Sequence, residues 1–294
     1  MTAAIRNFLR FIVFRNVFIA CCAACMVWET QWFFRIPMQF SGLLIFIFSA
    51  TFFEYNLHVI GGRISIFHPL ESLKIINGPG TSTTLRLCIF TGFIFTTITF
   101  FLLDKIMMAG FIISGLLTLS YTLPMIRQKG KFIRVREITY LKVFTVALGW
   151  TLITVVVPLL PILQNISKQE LTIIMLRRFL FIYAITIPFE IRDMERERKF
   201  GNISLPMIYG VRMMKIVGIV MLLLFCMLCA FQEKYFLFDL TARKSILLPL
   251  LISAVAAAIL ILNASDKKTN WYFKFWTDGT MILQFLLLLL FDQR

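Results

Sequence analysis

Nine stretches of this 294-residue chain stay apolar for about the length that an α-helix needs to cross a bilayer, some 20 residues. They lie near Phe8 to Phe34, Met38 to Leu57, Thr84 to Leu103, Ile106 to Leu123, Ile138 to Leu163, Leu171 to Phe189, Val211 to Phe231, Ser245 to Asn263 and Trp271 to Phe291. The apolar residues run on without alternating at period two, which excludes a β-barrel. Hydrophobic residues make up 59% of the chain and charged ones 15%, against roughly 45 to 50% and about 25% in soluble domains. Mean hydropathy is +0.85. No large water-soluble domain fits beside the apolar part. The expected fold is all-α, a polytopic membrane protein of about nine transmembrane helices forming a single domain over residues 1–294. Arg6 and Arg10 before an apolar stretch also resemble the start of a signal peptide. Arg15 interrupts that stretch, however, and the run continues to Phe34, so a retained first helix is expected.

Thirty Lys and Arg against fifteen Asp and Glu give a formal net charge of +15. In a soluble protein that excess would suggest nucleic acid. Here its placement points to the lipid bilayer instead. With nine spans, the N-terminus and the loops after spans two, four, six and eight share one face. That face holds nineteen of the basic residues, the opposite loops and C-terminus hold seven, and Lys142, Arg177, Arg178 and Lys274 lie within spans. Basic loops stay in the cytoplasm, so the N-terminus is expected inside and Arg294 outside, in a bacterial inner membrane. The six cysteines all fall in apolar runs, where Cys acts as a small hydrophobe.

Three cytoplasmic connections hold the unusual chemistry. The first is Ile187-Pro-Phe-Glu-Ile-Arg-Asp-Met-Glu-Arg-Glu-Arg-Lys-Phe-Gly-Asn-Ile-Ser-Leu-Pro206. At about 100° per residue, Glu190, Asp193 and Glu197 fall within roughly 60° of arc, with Arg192, Arg196 and Lys199 on the other side. Carboxylates so spaced can hold Mg²⁺, completed by water and phosphate oxygens; the alternative is a solvated charged helix end braced by ion pairs. Phe200-Gly201-Asn202 would end the helix. The second connection runs from Tyr121-Thr-Leu-Pro through Arg127, Lys129, Lys131, Arg134, Arg136 and Glu137. Its partner is a diphosphate or the headgroup phosphates of the membrane. Lys142 follows, just inside the fifth span, where a cation faces the bundle interior or snorkels to the interface.

The third connection is Glu54-Tyr-Asn-Leu-His58 at the end of the second span. Glu54 and His58 share a face at i, i+4 and form either a charge-assisted pair or a mixed oxygen and nitrogen ligand set. The linker from Gly61 to Thr83 resembles a cap over the membrane surface. Asp278, in Trp276-Thr-Asp-Gly-Thr, is an intramembrane carboxylate, functional or paired across helices, with Arg177 or Arg178 as an available partner unless they snorkel. Trp28, Trp32, Trp271 and Tyr272 fit interfacial anchoring.

These residues resemble the UbiA superfamily of membrane-embedded prenyltransferases, particularly its divergent bacterial members. Glu190-Ile-Arg-Asp193-Met-Glu-Arg-Glu197, followed by Gly201-Asn-Ile-Ser-Leu-Pro206 and Gly210, is similar to that family's second acidic motif, with glutamate where aspartate is usual at the first and third positions. Tyr121-Thr-Leu-Pro124, the basic stretch after it, and Lys142 before Trp150 resemble the segment between helices four and five. Arg15-Asn16 is similar to the arginine near the first helix. The first acidic motif departs: the usual aspartates are absent, and Glu54 with His58, or Asn56, stands in their place.

The resemblance implies a UbiA-like bundle with a central cavity opening to the cytoplasmic face. It also implies Mg²⁺ held by Glu190, Asp193 and Glu197, which would be the catalytic residues. A polyprenyl diphosphate donor would be bound with help from Arg15, Arg127 and Lys142, and a lipophilic acceptor would be aromatic or a quinone precursor. Glu54, Asn56, His58, Tyr121, Arg192 and Asp278 complete the expected substrate-binding set. Three functions remain open: an active prenyltransferase, a weakened relative that binds prenyl lipids, and a helical membrane carrier.

Overall fold

The computed structural model describes residues 3–60, 76–78, 82–128, 131–199, 202–236 and 246–291. Every apolar run contains helix, and the chain divides into two compact units, Met1–Ala24 with Met38–Thr145, and Cys25–Pro37 with Val146–Arg294.

The first unit holds α1 (Ala3–Phe14), the start of α2 (Val17–Phe33), α3 (Gly42–His58), α4 (Thr83–Phe100) and α5 (Lys105–Thr122). A short antiparallel hairpin follows, β1 (Ile126–Gln128) and β2 (Lys131–Ile133), in which Arg127 faces Phe132. A 3₁₀ turn at Val135–Glu137 then leads into α6 (Thr139–Thr151). The expected first span is not one straight helix. α1 and α2 meet at a 62° bend, and Asn16 at the corner has φ +63°, a left-handed conformation that Asn tolerates better than most residues. α3 and α4 lie close: a Cβ on Gly92 would sit 3.0 Å from Phe53 Cα. Phe46 packs on Phe111 and Phe100, and Phe53 on Phe93. The end nearest the motifs is closed by Leu57, Ile60, Ile76, Leu85, Ile89 and Leu123. Ser82 caps α4 there by accepting from the Leu85 amide at 3.3 Å.

The second unit is built on α7 (Lys168–Lys199), which packs against α9 (Val211–Phe236) and α10 (Leu247–Asn263). Between α7 and α9 lies the short α8 (Leu205–Tyr209), and the chain ends in α11 (Asp278–Phe291), entered through a π-helical turn at Tyr272–Thr277. A second π-helical turn, Leu152–Val156, continues α6. α7 does not stop near Phe189: its 32 residues carry it through the whole charged motif. Phe181 of α7 meets Phe225 of α9 in the core.

Among the described residues six helices are long and apolar enough to cross a membrane, seven if the bent α1–α2 pair is one span. The chain is therefore a multi-pass membrane protein. Nine spans are not confirmed. The difference lies in α3 and α10, whose 17 residues each rise about 26 Å, short of a hydrocarbon core of about 30 Å. The expected cap at residues 61–83 lies largely outside the described residues, as do Lys129, the Phe200-Gly201 helix stop and Arg294.

Candidate functional site

In the first unit the polar residues gather where α3 and α5 end. Glu54 and His58 are joined through a third residue, Thr122, the last of α5. The Thr122 hydroxyl donates to Glu54 Oε1, and His58 Nδ1 lies 3.1 Å from that hydroxyl. Arg136 Nη1 lies 2.6 Å from His58 Nε2, and the ring stacks on Tyr121 at 5.5 Å. A guanidinium only donates, so Nε2 accepts and the imidazole proton sits on Nδ1. Thr122 accepts that proton and passes its own to Glu54. All three hydrogen bonds thus run one way, from Arg136 to Glu54.

Asn56 has a different task. Its amide donates to the Arg15 carbonyl at 3.1 Å and the Phe52 carbonyl at 2.8 Å, while its oxygen accepts from Asn16 at 3.3 Å. It pins the corner between α1 and α2. Arg15 itself reaches Ser82 Oγ at 3.4 Å. Arg127 is exposed on the hairpin, and Lys142 is 7% exposed, which favours the inward-facing reading over snorkelling.

In the second unit the end of α7 carries the acidic motif. Asp193 is gripped by Arg192 Nε at 2.8 Å and Arg196 Nη2 at 2.9 Å. Glu197 accepts from the Asn202 amide at 3.0 Å, and Glu190 is buried. Arg192 lies over the Phe189 and Phe273 rings at 4.9 and 5.3 Å. Among the described residues no group of three or more His, Cys, Asp or Glu could hold a metal ion. The expected Mg²⁺ set is therefore not gathered in this arrangement. The geometry matches the alternative, a helix end braced by ion pairs that include Arg198 with Glu195 at 3.0 Å.

Arg177 and Arg178 neither snorkel nor pair with Asp278, on which Lys274 and Arg192 act instead. Both are buried and face Glu29 of α2, each at 3.4 Å. Arg177 also donates to Gln232 and lies over the Phe33 ring at 4.4 Å. Arg178 donates to the Met26 carbonyl at 3.1 Å and to Thr30 at 3.3 Å. Gln284 of α11 donates to Glu29 at 3.4 Å. Two guanidiniums and one carboxylate leave a formal charge of +1 there. Sequence reasoning missed Glu29 and Thr122. The signal for Glu29 was present, a lone acid in Trp28-Glu-Thr-Gln31 within an apolar run; Thr122 had none beyond its place beside Tyr121.

No family model matches the chain, and no curated protein matches it in sequence. Its structure is similar to one solved in work on a digeranylgeranylglyceryl phosphate synthase in membranes. The TM-score is 0.57 at 13% identity, over 98% of this chain and 99% of that one. The resemblance to the UbiA superfamily is thus borne out in three dimensions: this chain has the fold of a UbiA-superfamily membrane prenyltransferase.

Proposed function

We propose that this chain acts as one functional domain that transfers a polyprenyl group from its diphosphate to a lipophilic acceptor, aromatic or quinone-like, within a bacterial inner membrane. The observation that supports the reading is the likeness of fold to a membrane prenyl synthase over nearly the whole of both chains. In such a transfer the allylic C–O bond ionises, the diphosphate leaves with the electron pair, and the acceptor attacks C1 and loses a proton. Fixed cations stabilise the departing anion, and aromatic faces stabilise the allylic cation. For the first task the reading assigns Arg15, Arg127 and Lys142 in one unit and Arg192 in the other. Glu190, Asp193 and Glu197 order the end of α7 that carries Arg192. Tyr121, Glu54, Asn56, His58 and Asp278 shape the surroundings of the substrates. No step is assigned to Mg²⁺, because the carboxylates expected to hold it are committed to Arg192, Arg196 and Asn202.

A second reading, a relative that binds prenyl lipids without turnover, is favoured by one observation: Glu54, at the eroded first motif, is engaged by Thr122. One pair of measurements separates the readings. A ligand that binds the folded state raises the melting temperature. With a non-hydrolysable prenyl diphosphate analogue, the paired arrangement predicts a shift that does not require Mg²⁺. A Mg²⁺-dependent shift lost in Glu190→Gln/Asp193→Asn would show that the carboxylates regather around the ion. No shift at saturating analogue would sink the donor site. Where a shift is found, release of diphosphate with an acceptor panel marks the enzyme, and its absence marks the binding relative.

A further inference from the structure

The first helix is too short to cross a bilayer. Its 12 residues rise about 18 Å, against about 30 Å of hydrocarbon, and it leaves the direction of α2 by 62°. At about 100° per residue, Ile5, Phe8, Leu9, Phe11, Ile12 and Val13 form one broad apolar arc, with Arg6, Asn7 and Arg10 opposite. Protein covers only the inner margin of that arc. Val13 is buried and Leu9 and Ile12 are half-buried, whereas Ile5, Phe8 and Phe11 are 49%, 63% and 45% exposed. Arg6 and Arg10 are also exposed. The corner that sets this direction is fixed by Asn16 at φ +63° and by Asn56, which is hydrogen-bonded to both Asn16 and the Arg15 carbonyl.

We infer that α1 lies in the plane of the membrane surface and binds anionic phospholipid headgroups. Ile5, Phe8 and Phe11 enter the boundary with the acyl chains, and Arg6 and Arg10 meet the phosphates. An exposed apolar edge flanked by arginines, on a helix held across the span direction, has the composition of an interfacial anchor. Charge decides the occupant. A second copy of α1 would bring like charges together, and a zwitterionic surface would serve the aromatic edge while leaving the arginines without counter-charge. The inference is independent of prenyl transfer.

The test is amide hydrogen exchange over α1 in the full chain. It is embedded in nanodiscs of phosphatidylcholine alone or mixed with phosphatidylglycerol. Two arginines at an anionic surface are expected to shift the docked-to-free ratio of α1 by roughly thirtyfold, seen as slower exchange in the mixed discs. High salt and Arg6→Gln/Arg10→Gln are each expected to abolish the difference. Gln keeps a helix propensity near that of Arg, and an unchanged melting temperature checks that the variant folds. Equal exchange in both lipids would overturn the inference. So would a difference that survives the double substitution, or protection that grows with protein concentration and so reports a second copy.

Discussion

At Glu29 one carboxylate faces two guanidinium groups, Arg177 and Arg178, in the apolar part of the second unit. Such a group is costly to bury and more costly to leave half complete, because removing one partner strands the other's charge. Glu29→Leu is expected to lower the unfolding free energy by about 3 to 5 kcal/mol. Glu29→Leu/Arg178→Met should recover part of that loss, since it removes one of the stranded charges. Melts in a single detergent would show the order, and a Glu29→Leu protein as stable as the parent would refute the account. Glu54, His58 and Thr122 illustrate how far single residues were legible. The i, i+4 spacing of Glu54 and His58 placed them on one face, but the hydroxyl that joins them comes from 68 residues away, beyond the reach of any local pattern.

Among elements, α3 and α4 meet where Gly92 faces backbone. A Cβ there would stand 3.0 Å from Phe53 Cα and 3.1 Å from its Cβ, so the two helices must separate to admit it. Gly92→Ala is expected to cost about 1 to 3 kcal/mol. Gly115→Ala on α5, with nothing within 4 Å, should be neutral or gain up to about 1 kcal/mol from helix propensity. Equal stabilities for the two variants would show that the α3–α4 contact is looser than described. The helices themselves were legible, because apolar run length decides helix formation in lipid. Their ends were not. α7 runs on through the charged motif, where pairs at i, i+3 such as Asp193 with Arg196 and Glu195 with Arg198 support a helix outside the membrane. The break after α1 depends on Asn56, forty residues further on; from the sequence Arg15 was only an interruption.

For the whole molecule, the fold survives at 13% identity to its structural neighbour. The order and length of apolar helices can be met by many combinations of Leu, Ile, Val and Phe, which cores accept interchangeably when volume is kept. The acidic motif has no such latitude, and there the expected Mg²⁺ set and the observed ion pairs part company. The distribution of basic residues predicts an N-terminus in the cytoplasm and, with an odd number of crossings, a C-terminus outside. Green fluorescent protein should therefore fluoresce at the N-terminus only, and alkaline phosphatase should be active at the C-terminus only. Both ends reporting the same side would mean an even number of crossings and would remove the nine-span topology. The π-helical turn at Tyr272–Thr277, where the Thr277 hydroxyl bonds the carbonyl five residues back, holds more residues than an α-turn of the same rise. It works as the thread of a screw. Excising a single residue there would let the backbone close on ordinary α-helical bonds and turn all of α11 beyond it by about 100°. Met281, Gln284, Phe285 and Leu288, now buried together, would rotate away as a set, so in this helix the exact residue count, more than the composition, decides which side chains face Glu29.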